Sequence, residues 1–302
     1  MASPRPPHVA LSLALLSLAV CAAVAQQPPA PPGALQGPGR PSGPMQEAAR
    51  LDLEGKTAEA RVIFQRMIDS AADPAARAAA RRAMAMSYAF GGDCGNTVRY
   101  EEMVIGYWRT REAAEPQNAF YQEGEMADEA ARVCIDAGDL GAADRWYRRG
   151  YELGMKEPAP KTHPASLWDF RLAHALARIA ARRGDSAAAQ AQITAARRAL
   201  DSDSAMAAQQ ERFLPYLQGY VALYTGDLKQ AELVLSAAVN ARGNQRDPFM
   251  RCLLGMVYER QGKQDLADAA YRQAYELATA HNPPAAFVRP FVRKTLHLPA
   301  PR

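Results

Sequence analysis

Few side chains in this 302-residue chain could do chemistry, and their types and spacing point away from catalysis. The five histidines, His8, His163, His174, His281 and His297, are scattered, and none falls in an HxxxH pair. No CxxC, paired-carboxylate metal arrangement, phosphate-binding GxxxxGK[ST] loop, GxSxG elbow or strand-borne GxGxxG is present, so no metal or cofactor is expected and the chain reads as a non-enzyme. Asp201 and Asp203 in LDSDSAM have the spacing of a calcium loop but lack its glycine and terminal glutamate. A helix cap at Ser202, Asp203 or Ser204 is the expected role of that run. Of four cysteines, Cys94, Cys134 and Cys252 lie beyond residue 25, and in an oxidising compartment two of them can pair.

The amino terminus supplies the reason to consider such a compartment. Arg5 and His8 precede an apolar run from Val9 to Val24 that ends in Ala23-Val24-Ala25, the small-x-small pattern of a signal-peptide cleavage site. The run is shorter than the ~20 apolar residues of a spanning helix. Leu18-Ala19-Val20-Cys21 is similar to a lipobox that would acylate Cys21, although Val20 stands where a small residue is wanted. Heavy use of Ala and Arg suggests a GC-rich bacterial genome. With a signal peptide over residues 1–25, that implies secretion across the inner membrane to the periplasm. Residues 26–44, QQPPAPPGALQGPGRPSGP, are too rich in proline and glycine for helix or sheet and read as a disordered tether.

Charge excludes one class of partner. The formal net charge is +4, with 36 basic and 32 acidic residues interleaved along the chain rather than gathered into a basic stripe. Nucleic-acid binding is therefore not indicated.

The elements that would position these residues are helical hairpins. From Cys252 to Leu277 the sequence is CLLGMVYERQGKQDLADAAYRQAYEL, with Leu253, Leu254, Val257 and Tyr258 at helical spacing. A break at Gly262 follows, and then a second helical run through Leu266, Ala267, Ala270, Tyr271 and Ala274. Gly255 and Ala267 are small where two antiparallel helices would cross closely, and Tyr258 and Tyr271 would fill the gaps beside them. Leu254-Gly255, Tyr258, Gly262, Ala267, Tyr271 and Ala274 fall at the signature spacing of the tetratricopeptide repeat, which this segment resembles.

The resemblance extends along the chain. Hinge glycines recur at Gly55, Gly92, Gly138, Gly184, Gly226 and Gly262, at intervals of 37, 46, 46, 42 and 36 residues. Five residues after most hinges comes a close-packed alanine (Ala60, Ala143, Ala189, Ala231, Ala267), and four later a large residue (Phe64, Tyr147, Ile193, Leu235, Tyr271). The second unit departs, with Thr97 and Glu101 at these places, and the fifth carries Pro215 in its expected first helix, as a kink or in the first turn. The resemblance implies an all-α fold: a right-handed α-solenoid of about six hairpins over residues 45–283, closed by a capping helix and tail over 284–302 that contains Pro290. Residues 155–165, with three prolines, read as an extended connection between the third and fourth hairpins, at which the array could also divide.

In that frame Cys94 starts a second helix and Cys134 lies four residues before the next hinge, so both sit at the hinge end of adjacent helices. A Cys94–Cys134 disulfide is expected, with two buried free thiols as the alternative, and Cys252 is expected as a buried or groove-lining thiol. The resemblance also implies a partner-binding concave face built from first helices. In the fourth unit its positions fall on Arg171, His174, Arg178 and Arg182, and in the fifth on Phe213, Tyr216, Tyr220 and Tyr224, each set forming one helical stripe. Neighbouring units would add Arg82, Met86 and Phe90, then Glu125, Asp128 and Arg132, then Phe249, Met256 and Arg260. A basic stripe beside an aromatic one suits a protein or peptide ligand bearing a carboxylate or acidic side chains with apolar anchors. The arginine stripe could also be a solvated face, and the aromatic one core, since Leu214, Leu217 and Val221 compete for the inward place. The stripes do not reproduce the Lys and Asn pattern of the chaperone-binding carboxylate clamp. The expected function is a non-catalytic adaptor. The alternative is an accessory subunit of an envelope assembly that docks through convex or edge surfaces.

Overall fold

The computed structural model describes residues 43–299, so the expected signal peptide, the lipobox and nearly all of the tether lie outside the described residues. Among them there are fourteen α-helices, one 3-10 turn and no strand. They form six antiparallel hairpins. The first is α1 (Pro44–Glu54) with α2 (Thr57–Asp69), the second α3 (Pro74–Phe90) with α4 (Cys94–Arg109), and the third α5 (Pro116–Ala137) with α6 (Leu140–Gly154). The fourth is α7 (Ala165–Arg182) with α8 (Ser186–Asp201). A short α9 (Ser204–Gln210) and a 3-10 turn at Glu211–Phe213 lead into the fifth, α10 (Leu214–Thr225) with α11 (Leu228–Asn240). The sixth is α12 (Pro248–Arg260) with α13 (Gln264–Leu277), followed by α14 (Pro283–Thr295).

The hinges follow from backbone sterics. All six hinge glycines have positive φ, from 69 to 93°, a region that side chains with a Cβ avoid. Four of them are followed by an aspartate, Asp93, Asp139, Asp185 or Asp227, whose carboxylate accepts a hydrogen bond from a backbone N–H in the first turn of the next helix. Stop and start signals are thus adjacent, and the chain reverses in two residues. Pro215 lies in the first turn of α10, where its missing N–H costs nothing. Asp203 caps α9 by accepting from the Met206 N–H at 3.0 Å.

Between the helices the repeated small and large residues form the core. Ala60, Ala143, Ala189, Ala231 and Ala267 are all fully buried, and the large residues four positions later are buried beside them. In the last hairpin a Cβ on Gly255 would lie 2.6 Å from the Tyr271 ring, so close crossing requires glycine there. The second hairpin keeps the geometry with polar residues. Thr97 is buried and its hydroxyl donates to the Asp93 carbonyl at 2.8 Å, and Glu101 is buried with neither carboxylate oxygen partnered. Burial, with the Glu129 charge nearby, pushes the Glu101 carboxyl well above the usual carboxylate range, and Arg82 opposes the shift.

The connection from Met155 to Pro164 does not divide the array, because α6 packs directly on α7. Its buried Glu157 accepts from the Thr162 hydroxyl at 2.8 Å and from the His163 N–H at 3.2 Å, and the His163 ring stacks on Tyr121 at 3.9 Å. The carboxy-terminal helix does more than cap. Besides α12 and α13 it packs on α1, α3 and α5, so the last hairpin is tied back to the first three. A solenoid that would otherwise fray from its ends is closed on its inner side.

Candidate functional site

First helices α5, α7, α10 and α12 surround a cavity of about 360 Å³ on the inner face, and the start of α14 at Asn282, Pro283 and Pro284 forms one wall. Its polar side chains fall into paired and unpaired sets. Arg171 is ion-paired with Glu125, and Glu129 is held from outside the cavity by Arg82 through two bonds of 2.8 and 2.9 Å. Arg132 and Arg178 on the cavity, and Arg182 just outside it, have no carboxylate at ion-pair distance among the described residues. Arg178 is 5% exposed, and one Nη donates to the Tyr147 hydroxyl at 2.7 Å while the other lies 3.5 Å from the Tyr216 hydroxyl. The Arg132 guanidinium lies over the Phe249 ring at 4.7 Å. The Nε atoms of Arg132 and Arg178 and the Nε2 of His174 are buried without a hydrogen-bond partner.

Burial decides the charge states of His174 and Asp128 on the cavity and of Asp136 beside it. It drives His174 well below its ordinary pKa, with Arg178 and Arg132 adding repulsion, so the imidazole is neutral at pH 7. Asp136 is pushed up to about 6 by burial against the pull of Arg132, Arg178 and Arg182. Asp128 is pushed up to about 8, again by burial, with Arg171 opposing. With Asp128 protonated, the cavity's charged lining is Arg132, Arg171 and Arg178 against Glu125, Glu129 and Asp247, so the two signs are equal in number, and it is the absence of a close carboxylate at Arg132 and Arg178 that marks the site. It contains no group of three or more metal-ligating side chains, nor does any other place among the described residues.

Asp128 gives a testable consequence. In the unfolded chain its carboxyl ionises near pH 4, whereas in the fold it holds its proton up to about pH 8. Across that window the folded state binds more protons, so this group's contribution to stability falls as pH rises. Asp128→Asn is expected to leave the melting temperature unchanged at pH 4 and to raise it by about 4 °C or more at pH 8.5, measured by thermal circular dichroism. Equal shifts at both pH values would show that Asp128 is not held neutral.

Of the eight groove residues expected from the sequence, Arg171, His174, Arg178, Phe213 and Tyr216 line this cavity. Arg182, Tyr220 and Tyr224 do not. Tyr220 is 1% exposed, and Arg182 lies over the Tyr224 ring at 4.8 Å. The expectation of two open stripes is corrected by the packing: α7 and α10 are neighbours, so their stripes stack on each other instead of both facing solvent. Glu125, Asp128, Arg132 and Phe249 from adjoining units do join the cavity, whereas Met86 and Phe90 lie in the core beneath α14. Sequence reasoning missed Tyr147, which comes from a second helix, and the Asn282 to Pro284 wall, which comes from beyond the repeats. The expected disulfide pair is bonded in the structure, Cys94 to Cys134, and Cys252 is buried and free.

Residues 250–281, which run from the third residue of α12 through α13 and the turn after it, match the family model of the tetratricopeptide repeat. With the six hairpins, that match supports a TPR-type repeat protein, an all-α solenoid of tetratricopeptide-like units. Such repeats suggest a role in protein–protein interaction. No curated protein matches the chain. Among the described residues no helix is long and apolar enough to cross a membrane.

Proposed function

We propose that this chain is a non-catalytic adaptor of the bacterial cell envelope that holds a protein or peptide partner at its concave face. The partner brings a carboxylate or acidic side chain to Arg132 and Arg178 and sets apolar groups against Phe213, Tyr216 and Phe249. One observation carries the reading: two inward arginines without a carboxylate partner share a cavity of about 360 Å³ with these aromatic rings. A buried guanidinium with unpartnered N–H groups favours an anionic ligand, and the rings supply rigid apolar contact. The bonded Cys94–Cys134 pair supports an oxidising compartment, in keeping with export by the amino-terminal segment.

The test is capture from envelope extract by the full chain and by Arg132→Glu, with bound proteins identified by mass spectrometry. Arg132 is the useful position because its guanidinium stacks on a ring and is not bonded into the core. The charge reversal is expected to weaken the partner's binding about tenfold or more while the helical spectrum is retained. A second reading, docking through the outer face, is favoured by Leu233 on α11 and Leu266 on α13, which are 66% and 49% exposed. Loss of the partner on Leu233→Glu/Leu266→Glu, with none on Arg132→Glu, would replace the first reading with the second.

A further inference from the structure

Glu125, Glu129 and Asp247 on the inner cavity all have partners. Glu125 pairs with Arg171, Glu129 with Arg82, and the Asp247 carboxylate accepts the Met250 N–H at 2.9 Å. Three nitrogens on the same cavity have none among the described residues: Nε of Arg132, Nε of Arg178 and Nε2 of His174, each buried. The Nη groups of Arg178 reach the Tyr147 and Tyr216 hydroxyls, which leaves its Nε–H as the free edge of a side chain only 5% exposed.

The three groups gather around two rings. The His174 ring lies 5.2 Å from Tyr216, whose hydroxyl is 3.5 Å from an Arg178 Nη. The Tyr216 ring lies 6.1 Å from Phe249, and the Arg132 guanidinium covers Phe249 at 4.7 Å. Arg132 is near enough that its charge, like that of Arg178, opposes protonation of the imidazole. The arrangement offers two positive charges, neither with a close carboxylate, and a neutral ring nitrogen. A carboxylate brings one charge and two oxygens, whereas a phosphate monoester near neutral pH brings close to two charges and three acceptor oxygens. The phosphate matches the site on both counts, and Asp128, which holds its proton up to about pH 8, adds little charge against it at pH 7. Phe213 and Phe249 line the rest of the cavity of about 360 Å³, which leaves room for an apolar or aromatic group on the ester oxygen.

We propose that this cavity is a phosphate-class oxyanion site, in which Arg132, Arg178 and His174 together hold the dianionic phosphate of an apolar or aromatic ester. A carboxylate takes the same place more weakly. The inference rests on the reading that the cavity takes an anion, and it narrows the class of that anion.

The probes are phenyl phosphate, benzoate and inorganic phosphate, each titrated into the full chain at pH 7 by isothermal calorimetry. Phenyl phosphate and benzoate share a ring and differ in the anion, so their ratio reads the anion's class directly. Phenyl phosphate is expected to bind at least about tenfold more tightly than benzoate, and more tightly than inorganic phosphate, which leaves the rings uncovered. Arg132→Gln and His174→Phe are each expected to weaken phenyl phosphate about tenfold or more while the helical spectrum is retained. The ratio on the unmodified chain needs no variant and decides the matter should either fail to fold. Benzoate binding as tightly as phenyl phosphate overturns the phosphate assignment and leaves the acidic partner in place. Inorganic phosphate binding as tightly as phenyl phosphate overturns the ester. Phenyl phosphate that binds Arg132→Gln as well as it binds the unmodified chain overturns the site, since the contact would then lie elsewhere on the surface. Absence of phenyl phosphate binding overturns the proposal outright, while the adaptor reading stands or falls separately on capture by Arg132→Glu.

Discussion

Replacing Trp168 by alanine is expected to lower the stability of the fold by about 3–5 kcal/mol, and its melting temperature by about 10 °C. Trp168 is 1% exposed and is the largest fully buried side chain. It is set on α7 in a slot that exists because two neighbouring helices carry glycine. A Cβ on Gly154 of α6 would lie 2.0 Å from its ring, and one on Gly124 of α5 would lie 2.4 Å away. The loss is nearly all packing, since the indole N–H has no hydrogen-bond partner whose removal would add to it. Backbone on two sides of the slot cannot collapse into the space that alanine leaves, which puts the cost at the upper part of the range for large-to-small substitutions. Trp168→Phe should recover most of the stability, while Gly154→Val should be at least as damaging as the alanine because the ring has nowhere to move. The Arg171 guanidinium lies over the indole at 4.9 Å, so the same substitution loosens one wall of the inner cavity. Urea unfolding followed by circular dichroism checks the ranking. A loss below about 1 kcal/mol for Trp168→Ala would mean that the three helices do not meet around this ring.

That slot also shows where sequence reading ends. The hinges were legible because Gly at positive φ and the alanine five residues later answer local demands that recur in each unit. The aspartate after four of the hinges is an equally local signal, overlooked because the repeat signature is written in small and apolar residues. Trp168, Gly124 and Gly154 belong to three helices and hold no common register position, so nothing in the period announces that they meet. The inner site was half legible for the same reason. Spacing placed Arg171, His174 and Arg178 on one stripe, and the structure keeps them together on the cavity. Whether a stripe faces water or the next stripe depends on the distance between neighbouring helices, and that distance is set by side chains from both. The return of α14 was the least legible feature. His281 and Asp52 are 229 residues apart in sequence, and the apolar stripe of α14 reads the same whether it covers one hairpin or four.

The Cys94–Cys134 bond carries the second large effect, and its size follows from chain entropy. The two cysteines are 40 residues apart, and tying such a loop in the unfolded chain is worth about 4 kcal/mol. The place adds to the number. Cys134 is fully buried on α5 and packs with Ile135, Ala143 and Tyr147 in the core of the third hairpin, while Cys94 begins α4 of the second. That second hairpin buries Thr97 and Glu101 where its neighbours have alanine and a large residue, so it has less apolar surface to hold it against the next unit. The bond supplies by covalency what the repeat lost in packing. Cys94→Ala/Cys134→Ala is expected to lower the unfolding free energy in urea by about 4 kcal/mol, and dithiothreitol should do the same to the parent chain and nothing to the variant. Because α5 also carries Glu125, Asp128 and Arg132, reduction is expected to weaken the partner binding proposed for the inner cavity as well as stability. A parent chain equally stable with and without reductant would show that the second hairpin is held by its packing alone. A variant that loses stability but keeps full affinity would show that α5 is positioned by α6 and α7, with the bond serving only the hairpin before it.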